Sequence, residues 1–389
     1  MNKLVLKPKK EKSVRNYHPW IFSGAIAKTP ENIQNGDWVE VCDAQQNTLG
    51  FGHYYKGSIA VRMLVFGEKK PAANFWENAL HKALRQRLAW GFPSQFTNCF
   101  RLVHGEADDL PGLVVDIYDR TAVVQCHTEG MLRSQSEWLP VLKNLPNLDL
   151  ELIYDKSSEN DAAVLWHKNA DFRNENIVLE NNLRFKVNWE TGQKTGFFLD
   201  QRLNRALLGT MTEGKKVLNA FAYSGGFSVY ALAGKAQMVH SVDVSEKAIA
   251  LANENVALNF PQAKHEGIVA DCFQFLRQMP EKYDVYVLDP PAFAKHRSAV
   301  KQAAQGYKQI NLQVFRQAPE GSILFTFSCS QVIDSDLFRK IIFAAAADAH
   351  REVKILYQLH QPADHPISIY HPEGEYLKGL VLYIGGVLG

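Results

Sequence analysis

Cysteine is scarce in this sequence and is nowhere arranged in pairs. Only five of the 389 residues are cysteine, at positions 42, 99, 126, 272 and 329. None forms a CxxC pair, which speaks against a zinc ribbon or a disulfide framework. No metal site is expected, and each cysteine has to be judged alone, with a small buried hydrophobe as the default. Long apolar runs are also missing. Nothing approaches the roughly 18–20 residues that cross a bilayer, and the N-terminal MNKLVLKPKKEK lacks the apolar stretch of a secretory signal. The expectation is a cytoplasmic protein with no membrane partner. Internal repeats and low-complexity segments are absent too.

Net charge is almost lacking, at +2, so its distribution is more telling than its sum. Residues 1–30 hold seven Lys/Arg and one acid, and residues 290–319 hold Lys295, Arg297, Lys301, Lys308 and Arg316 with no acid. Two separated basic patches on a near-neutral chain suit a polyanion, although a solvated surface is the commoner meaning of a charge run. What the sequence does have is apolar mass. Hydrophobic residues make up 46% and aromatics 11%, enough to bury the cores of two or three domains.

Three patterns succeed one another along the chain. Residues 37–42, 48–53 and 59–65 read as short strands divided by Gly36, Gly50, Gly52 and Gly57, which predicts a small β-barrel. Phe75, Leu80, Leu84 and Leu88 then give helical spacing over 74–90, followed by strand-like runs at 100–126 and 151–155. From about residue 186, β-rich runs at 217–221, 239–244, 267–270, 283–288 and 323–327 alternate with amphipathic stretches at 226–233, 245–258, 272–279, 302–317 and 335–348. That alternation predicts parallel β-α-β units in a doubly wound sheet. Runs at 354–359 and 380–384 suggest an antiparallel pair at one edge. The expected division is 1–72, a barrel; 73–185, a central α/β domain; and 186–389, the doubly wound domain.

In such a sheet a ligand sits beyond the carboxyl ends of the strands. The first strand runs into Ala222-Tyr223-Ser224-Gly225-Gly226, a loop whose glycines permit a tight turn and close backbone approach. The second strand ends in Asp243, able to accept from both hydroxyls of a ribose, or else to cap the helix beginning beside it. The third ends in Asp271, able to accept from an adenine amino group. The loop is not GxGxxG and carries no GK[ST], which disfavours a dinucleotide or a nucleoside triphosphate. An adenosyl group without phosphates fits better, and that points to S-adenosylmethionine.

The fourth strand ends in Asp289-Pro290-Pro291-Ala292-Phe293. An acid on a loop stiffened by two prolines, followed by an aromatic, suits a planar nucleic-acid base, with Asp289 on its polar edge and Phe293 stacked on it or packed in the core. The fifth strand ends in Ser328-Cys329-Ser330. C5 of a pyrimidine is a poor nucleophile unless a thiolate first adds at C6, and Cys329 stands where such a thiolate is needed. The competing reading is a buried, inert cysteine.

These residues resemble a known family: the PUA-domain-containing, class I S-adenosylmethionine-dependent methyltransferases that form 5-methylcytosine in bacterial 23S rRNA. The similarity covers nearly the whole chain. It rests on residues 191–205 (TGQKTGFFLDQRLNR), 219–227 (NAFAYSGGF), 241–243 (SVD), 289–293 (DPPAF), 328–330 (SCS), 104–118 (HGEADDLPGLVVDIY), 364–366 (DHP) and 376–379 (YLKG). The resemblance implies an N-terminal PUA-like RNA-binding barrel, a small central α/β domain and a C-terminal Rossmann-like sheet. It implies that Cys329 is the nucleophile with Asp289 beside it. Phe198, Asp200, Gln201 and Arg202 would lie near the cofactor, with Asn219, Phe221, Tyr223, Ser224 and Gly225 toward its methionine end. Asp243 would hold the ribose, Asp271 the adenine, and Asp289 would border both cofactor and base. Pro290, Pro291 and Phe293 would shape the base pocket; Lys295 and Arg297, by their charge alone, suit a phosphate contact. The partner would be large-subunit ribosomal RNA or its assembly intermediate, and a homodimer is left open. Asp109 stands where the family commonly has glycine and would need a positive φ.

Other readings remain at this stage. A related group with a similar DPP-x-Phe loop methylates a guanine nitrogen without a covalent intermediate, and Cys329 discriminates against it. A non-catalytic RNA-binding assembly factor would have no need of Asp243 or Asp289. A small-molecule methyltransferase would leave the basic N-terminus and the additional domains unexplained.

Overall fold

A computed structural model of the protein describes residues 1–158, 162–169, 176–294 and 296–389. They divide into two compact units. One comprises Met1–Val178, Val187–Leu199 and Ala363–Gly374; the other comprises Leu179–Lys186, Asp200–Pro362 and Glu375–Gly389.

In the second unit the β-rich runs form β1 (Lys216–Ala220), β2 (Met238–Asp243), β3 (His265–Val269), β4 (Val285–Leu288), β5 (Ser322–Ser328), β6 (Arg351–Leu359) and β7 (Lys378–Val387). Their order across the sheet is β3-β2-β1-β4-β5-β7-β6. Strands β1 to β5 are parallel, while β7 runs antiparallel to both β5 and β6. Parallel neighbours require long crossovers, and here they contain helices. These are α1 (Arg202–Gly209), which precedes the sheet, then α2 (Gly226–Ala233), α3 (Glu246–Asn259), α4 (Cys272–Arg277), α5 (Val300–Gln317) and α6 (Ser335–Asp348). The two-residue period of a strand sorts its side chains. Leu218 and Ala220 of β1 join Leu288, Leu324 and Leu382 in a core with Tyr307, Phe315 and Phe338 from α5 and α6. Asn219 between them turns to the opposite face, where α2 lies.

The first unit carries two sheets. Strands Trp20–Phe22, Ile59–Phe66, Thr48–Tyr54, Trp38–Cys42, Asn2–Leu6 and Ile26–Lys28 are paired in that order, closing over Leu4, Leu6, Val39, Val41, Val61 and Met63. The other sheet has five strands, from Ala163–His167 through Leu152–Asp155, Thr121–Cys126 and Leu113–Tyr118 to Cys99–His104. Helices Phe75–Ala89 and Gln135–Leu142 bury Trp76, Leu80, Leu84, Trp138 and Leu142 against it. Asp109 takes a φ of +59° just before the turn at Pro111-Gly112.

Around residue 186 the chain passes between the two units. Residues 179–186 group with the second unit, while 187–199 and 363–374 group with the first. Side-chain chemistry explains the transfer. Strands Ile177–Glu180 and Leu183–Lys186 form a hairpin turned by Asn181 and Asn182, both at positive φ. The second strand is held to α3 by Arg184 N–H to Asn259 (2.8 Å) and Lys186 N–H to Asn255 (2.7 Å), with Phe185 stacked on Tyr230 of α2.

Candidate active site

Strand order reverses between β1 and β4, whose register sets Ala220 beside Leu288. The two loops that follow, starting at Phe221 and Asp289, therefore leave the sheet side by side at the place where open α/β sheets bind ligands.

The β1 loop is built from three left-handed residues, Phe221 (φ +60°), Tyr223 (+43°) and Gly225 (+73°). At Gly225 a Cβ would lie 2.8 Å from the Ala252 Cβ of α3, so glycine is required by both conformation and space. Asn255 donates to the Ser224 carbonyl at 2.9 Å and fixes the loop from behind. Asp243, half-buried at the end of β2, accepts the Tyr223 N–H on one oxygen (3.0 Å) and the Ser245 N–H on the other (2.9 Å). The cap of α3 is Ser245, which accepts the Ala248 N–H, so the helix-cap alternative for Asp243 is corrected. A carboxylate offers about four acceptor positions, and those left on Asp243 can take a vicinal diol. Asp271 is exposed and caps α4 through one oxygen, accepting the Gln274 N–H at 2.9 Å; its other oxygen remains for a ligand.

Beneath the loop runs a buried polar chain. Asn219 Nδ2 donates to Ser228 Oγ at 2.9 Å, Ser228 and Ser241 share a hydrogen bond of 2.6 Å, and Ser241 meets His265 at 2.8 Å. Burial pulls His265 down to about 4, so its ring is neutral at pH 7. Asn219 Oδ1 is buried with no donor among the described residues. That orphan acceptor, the Gly225 cradle and the remaining acceptor positions of Asp243 together fit an adenosyl ligand with an amino-acid end.

Residues 200–202 are buried at the start of α1. Asp200 accepts the Tyr376 hydroxyl at 2.7 Å, and Gln201 accepts from Asn204 at 2.6 Å. Arg202 lies 3.4 Å from Glu180, whose carboxylate also accepts from Arg205 Nε at 2.9 Å and from Nη2 at 2.7 Å. Glu180 sits on the Asn-Asn hairpin and was not singled out from sequence. Phe198 belongs to the first unit, where the Lys194 ammonium lies 4.6 Å from its ring centroid.

After β4, Asp289 is half-buried, Pro290 buried and Pro291 exposed. Phe293 packs inward, with ring centroids 4.6 Å from Tyr307 and 5.7 Å from Phe273, so of its two sequence readings the core one describes its surroundings. Arg297 is exposed; Lys295 lies outside the described residues. The β5 loop abuts this one. Cys329 Sγ is 3.9 Å from the Pro290 carbonyl, and the Ser330 hydroxyl donates to the Ala294 carbonyl. Cys329 is the one cysteine that is not buried; the other four are, and burial pushes the Cys126 and Cys272 thiols up to about 12. Lys378 was quoted above only within a motif. It is 4% exposed, and its ammonium donates to the carbonyls of Ser330 and Tyr376, both at 2.7 Å. A lysine opening the apolar strand KGLVLYI was the available signal.

A sheet of this order with an acid ending β2 and a glycine loop after β1 defines the class: residues 146–368 match the family of S-adenosylmethionine-dependent methyltransferases, and residues 4–66 match a PUA-like domain. Among solved structures, a chain described as a SAM-dependent methyltransferase from Streptococcus mutans superposes with a TM-score of 0.84 at 22% identity, covering 98% of this chain and 100% of that one. A methyltransferase solved in complex with SAH gives 0.86 at 22% identity with the same coverage. At that identity the likeness establishes the fold. Sequence relatives narrow it further. Ribosomal RNA large subunit methyltransferase I of Alteromonas mediterranea is 39% identical, covering 97% of this chain and 98% of its own length. The protein of that name from Escherichia coli is 37% identical over the same shares. The chain belongs to the ribosomal RNA large subunit methyltransferase I family, and its cofactor is S-adenosylmethionine.

Proposed function

We propose that this protein methylates C5 of a cytosine in large-subunit (23S) ribosomal RNA, through a covalent adduct with Cys329. The observation that carries the reading is that Cys329, alone among the five cysteines, is not buried, and that it stands beside the Asp289-Pro290 loop at the switch point of the sheet. The relatives' name supports the choice of RNA, and the PUA-like match supports a chain that grips it. Its substrate would be met in the cytoplasm.

The chemistry follows from the thiol. Cytosine C6 inside a duplex is out of reach of a side chain, so the base is flipped into the pocket. Cys329 thiolate adds at C6, the C5=C6 π pair moves onto C5, and Asp289 contacts the N3/N4 edge of the ring, stabilising the adduct when it carries a proton. S-adenosylmethionine, when bound, would supply the electrophilic methyl to C5 and leave as S-adenosylhomocysteine, its sulfur keeping the electron pair of the broken S–CH3 bond. Loss of the C5 proton to solvent then restores the double bond and expels Cys329 as thiolate. Asp243 holds the ribose and Asp271 the adenine, while Asn219 and the Tyr223–Gly225 loop hold the amino-acid end. Pro290 and Pro291 keep the Asp289 loop rigid. Basic side chains of residues 1–30, with Lys295 and Arg297, supply phosphate contacts and make binding salt-dependent.

The test is nucleoside mass spectrometry of unmodified large-subunit rRNA incubated with the protein and S-adenosylmethionine. New 5-methylcytidine, lost in Cys329→Ala while cofactor binding survives, is the expected result. A methylated purine, or undiminished methylation by Cys329→Ala, would overturn it.

A further inference from the structure

Lysine is among the side chains least often fully buried, because an ammonium loses its hydration unless partners replace it. Lys378 is an exception, and its partners are specific. Strand register pairs it with Ser328, the last residue of β5. Its ammonium donates to the carbonyl of Ser330, two residues further on, and to that of Tyr376. Cys329 is thus bracketed by the two residues that Lys378 touches. An ammonium has three donors, and the third N–H has no partner among the described residues. The Ser330 hydroxyl meanwhile ties the same loop to Ala294, so the segment carrying the thiol is anchored on both sides.

Asp334 at the start of α6 and Glu375 before β7 act on the ammonium, as does a charged Cys329, each favouring its protonated form. Burial works against them and is the larger effect, bringing Lys378 down to about 8, which still leaves it charged at neutral pH. Cys329 and Asp289 also both act on the phenol of Tyr307 from α5, whose pKa burial lifts to about 12. The Asp289-Pro290 loop abuts the thiol, whose Sγ is 3.9 Å from the Pro290 carbonyl. A nearby cation favours a thiolate.

We infer that Lys378 is the positioning residue of the nucleophile: its buried ammonium fixes the Ser328–Ser330 turn and stabilises the Cys329 thiolate. This rests on the reading of Cys329 as nucleophile. A lysine in this role does not touch the base or take its C5 proton; it raises the fraction of thiolate present at neutral pH.

The experiment is the pH dependence of iodoacetamide alkylation of the full-length protein, read by mass spectrometry at each cysteine peptide without RNA or cofactor. The four buried cysteines serve as the folding control, since they stay unmodified in a folded chain. Wild-type Cys329 should show an inflection below the ~8.5 of an ordinary thiol. Lys378→Gln keeps donors but no charge, and should raise the inflection by at least one pH unit and slow alkylation at pH 7 about tenfold. Lys378→Arg should restore most of the shift. An inflection unmoved by Lys378→Gln overturns the proposal. If that variant exposes the buried thiols, the wild-type curve decides: an inflection at or above ~8.5 overturns it and a lower one supports it. The readout is separable from methylation. Loss of 5-methylcytidine in Cys329→Ala with an unmoved inflection in Lys378→Gln would remove only the role of Lys378. A moved inflection beside full methylation by Cys329→Ala would show the thiol tuned but its role as nucleophile wrong.

Discussion

At the scale of single residues, Asp243 connects the loops that follow β1 and β2. Its carboxylate accepts the Tyr223 and Ser245 N–H groups, and in our account it also accepts the ribose hydroxyls. Hydrogen bonds to a charged acceptor contribute about 1.5–3 kcal/mol each. Asp243→Ala should therefore weaken S-adenosylmethionine binding by at least tenfold in calorimetry, while Cys329→Ala binds normally; unchanged affinity in the Asp243 variant would undo the ribose assignment. His53 makes a different point in the first unit. It is buried, packed edge-on to Trp38 with centroids 4.7 Å apart, and a Cβ at Gly130 would overlap its ring. Burial brings its pKa down to about 4. The unfolded chain, titrating near 6.5, binds the extra proton first, so stability is lost as pH falls from about 6.5 toward 4. The full loss is roughly 3 kcal/mol at about 1.4 kcal/mol per pH unit. Denaturation midpoints at pH 7 and pH 4.5, for wild type and His53→Gln, should show the smaller pH dependence in the variant.

At the scale of elements, alternation of β-rich and amphipathic segments was legible from Lys216 to Asp348, because parallel strands buried on both faces and helices buried on one leave different periods. The hairpin Ile177–Glu180 and Leu183–Lys186 was not, although Asn181-Asn182 is a turn signal. Its strands are four residues each, too short for a period to emerge. Helix Phe75–Ala89 was read from its leucines, but not the use of its last turn. There Arg87, fully buried, forms a two-pronged pair with Asp108 and also donates to the Arg101 carbonyl at 2.9 Å. Arg87→Met leaves Asp108 charged and buried without its cation, and should lower unfolding free energy by about 3–5 kcal/mol. Adding Asp108→Leu should recover much of that loss in the same urea titrations; a single variant as stable as wild type would refute the view that this pair locks helix to sheet.

At the scale of the whole molecule, the site depends on residues far apart in sequence that the β3-β2-β1-β4-β5-β7-β6 order brings to one edge. Gly225, Asp243, Asp289 and Cys329 were legible as residues at strand ends, because each lies at or just after the end of a recognisable parallel strand, and a strand end is where such sheets bind ligands. Lys378 and Glu180 were not, because their meaning lies in burial and partners. Charge in an apolar strand or beside a turn says nothing about what neutralises it. Phe293 shows the converse limit, since an aromatic after two prolines reads the same whether it faces a base or Tyr307. The division into units was blurred for a related reason: the chain leaves one unit and re-enters it, at 187–199 and 363–374. The central claim spans all three scales, namely that this fold delivers one accessible thiol to C6 of a cytosine. It is tested most directly by incubating the protein and S-adenosylmethionine with large-subunit rRNA in which cytidine is replaced by 5-fluorocytidine. Fluorine at C5 cannot leave as a proton, so the methylated adduct should persist and mass spectrometry should find it on the Cys329 peptide, with none from Cys329→Ala. Methylation of natural rRNA by the same preparation, with no adduct on Cys329 in the fluorinated RNA, would contradict the account.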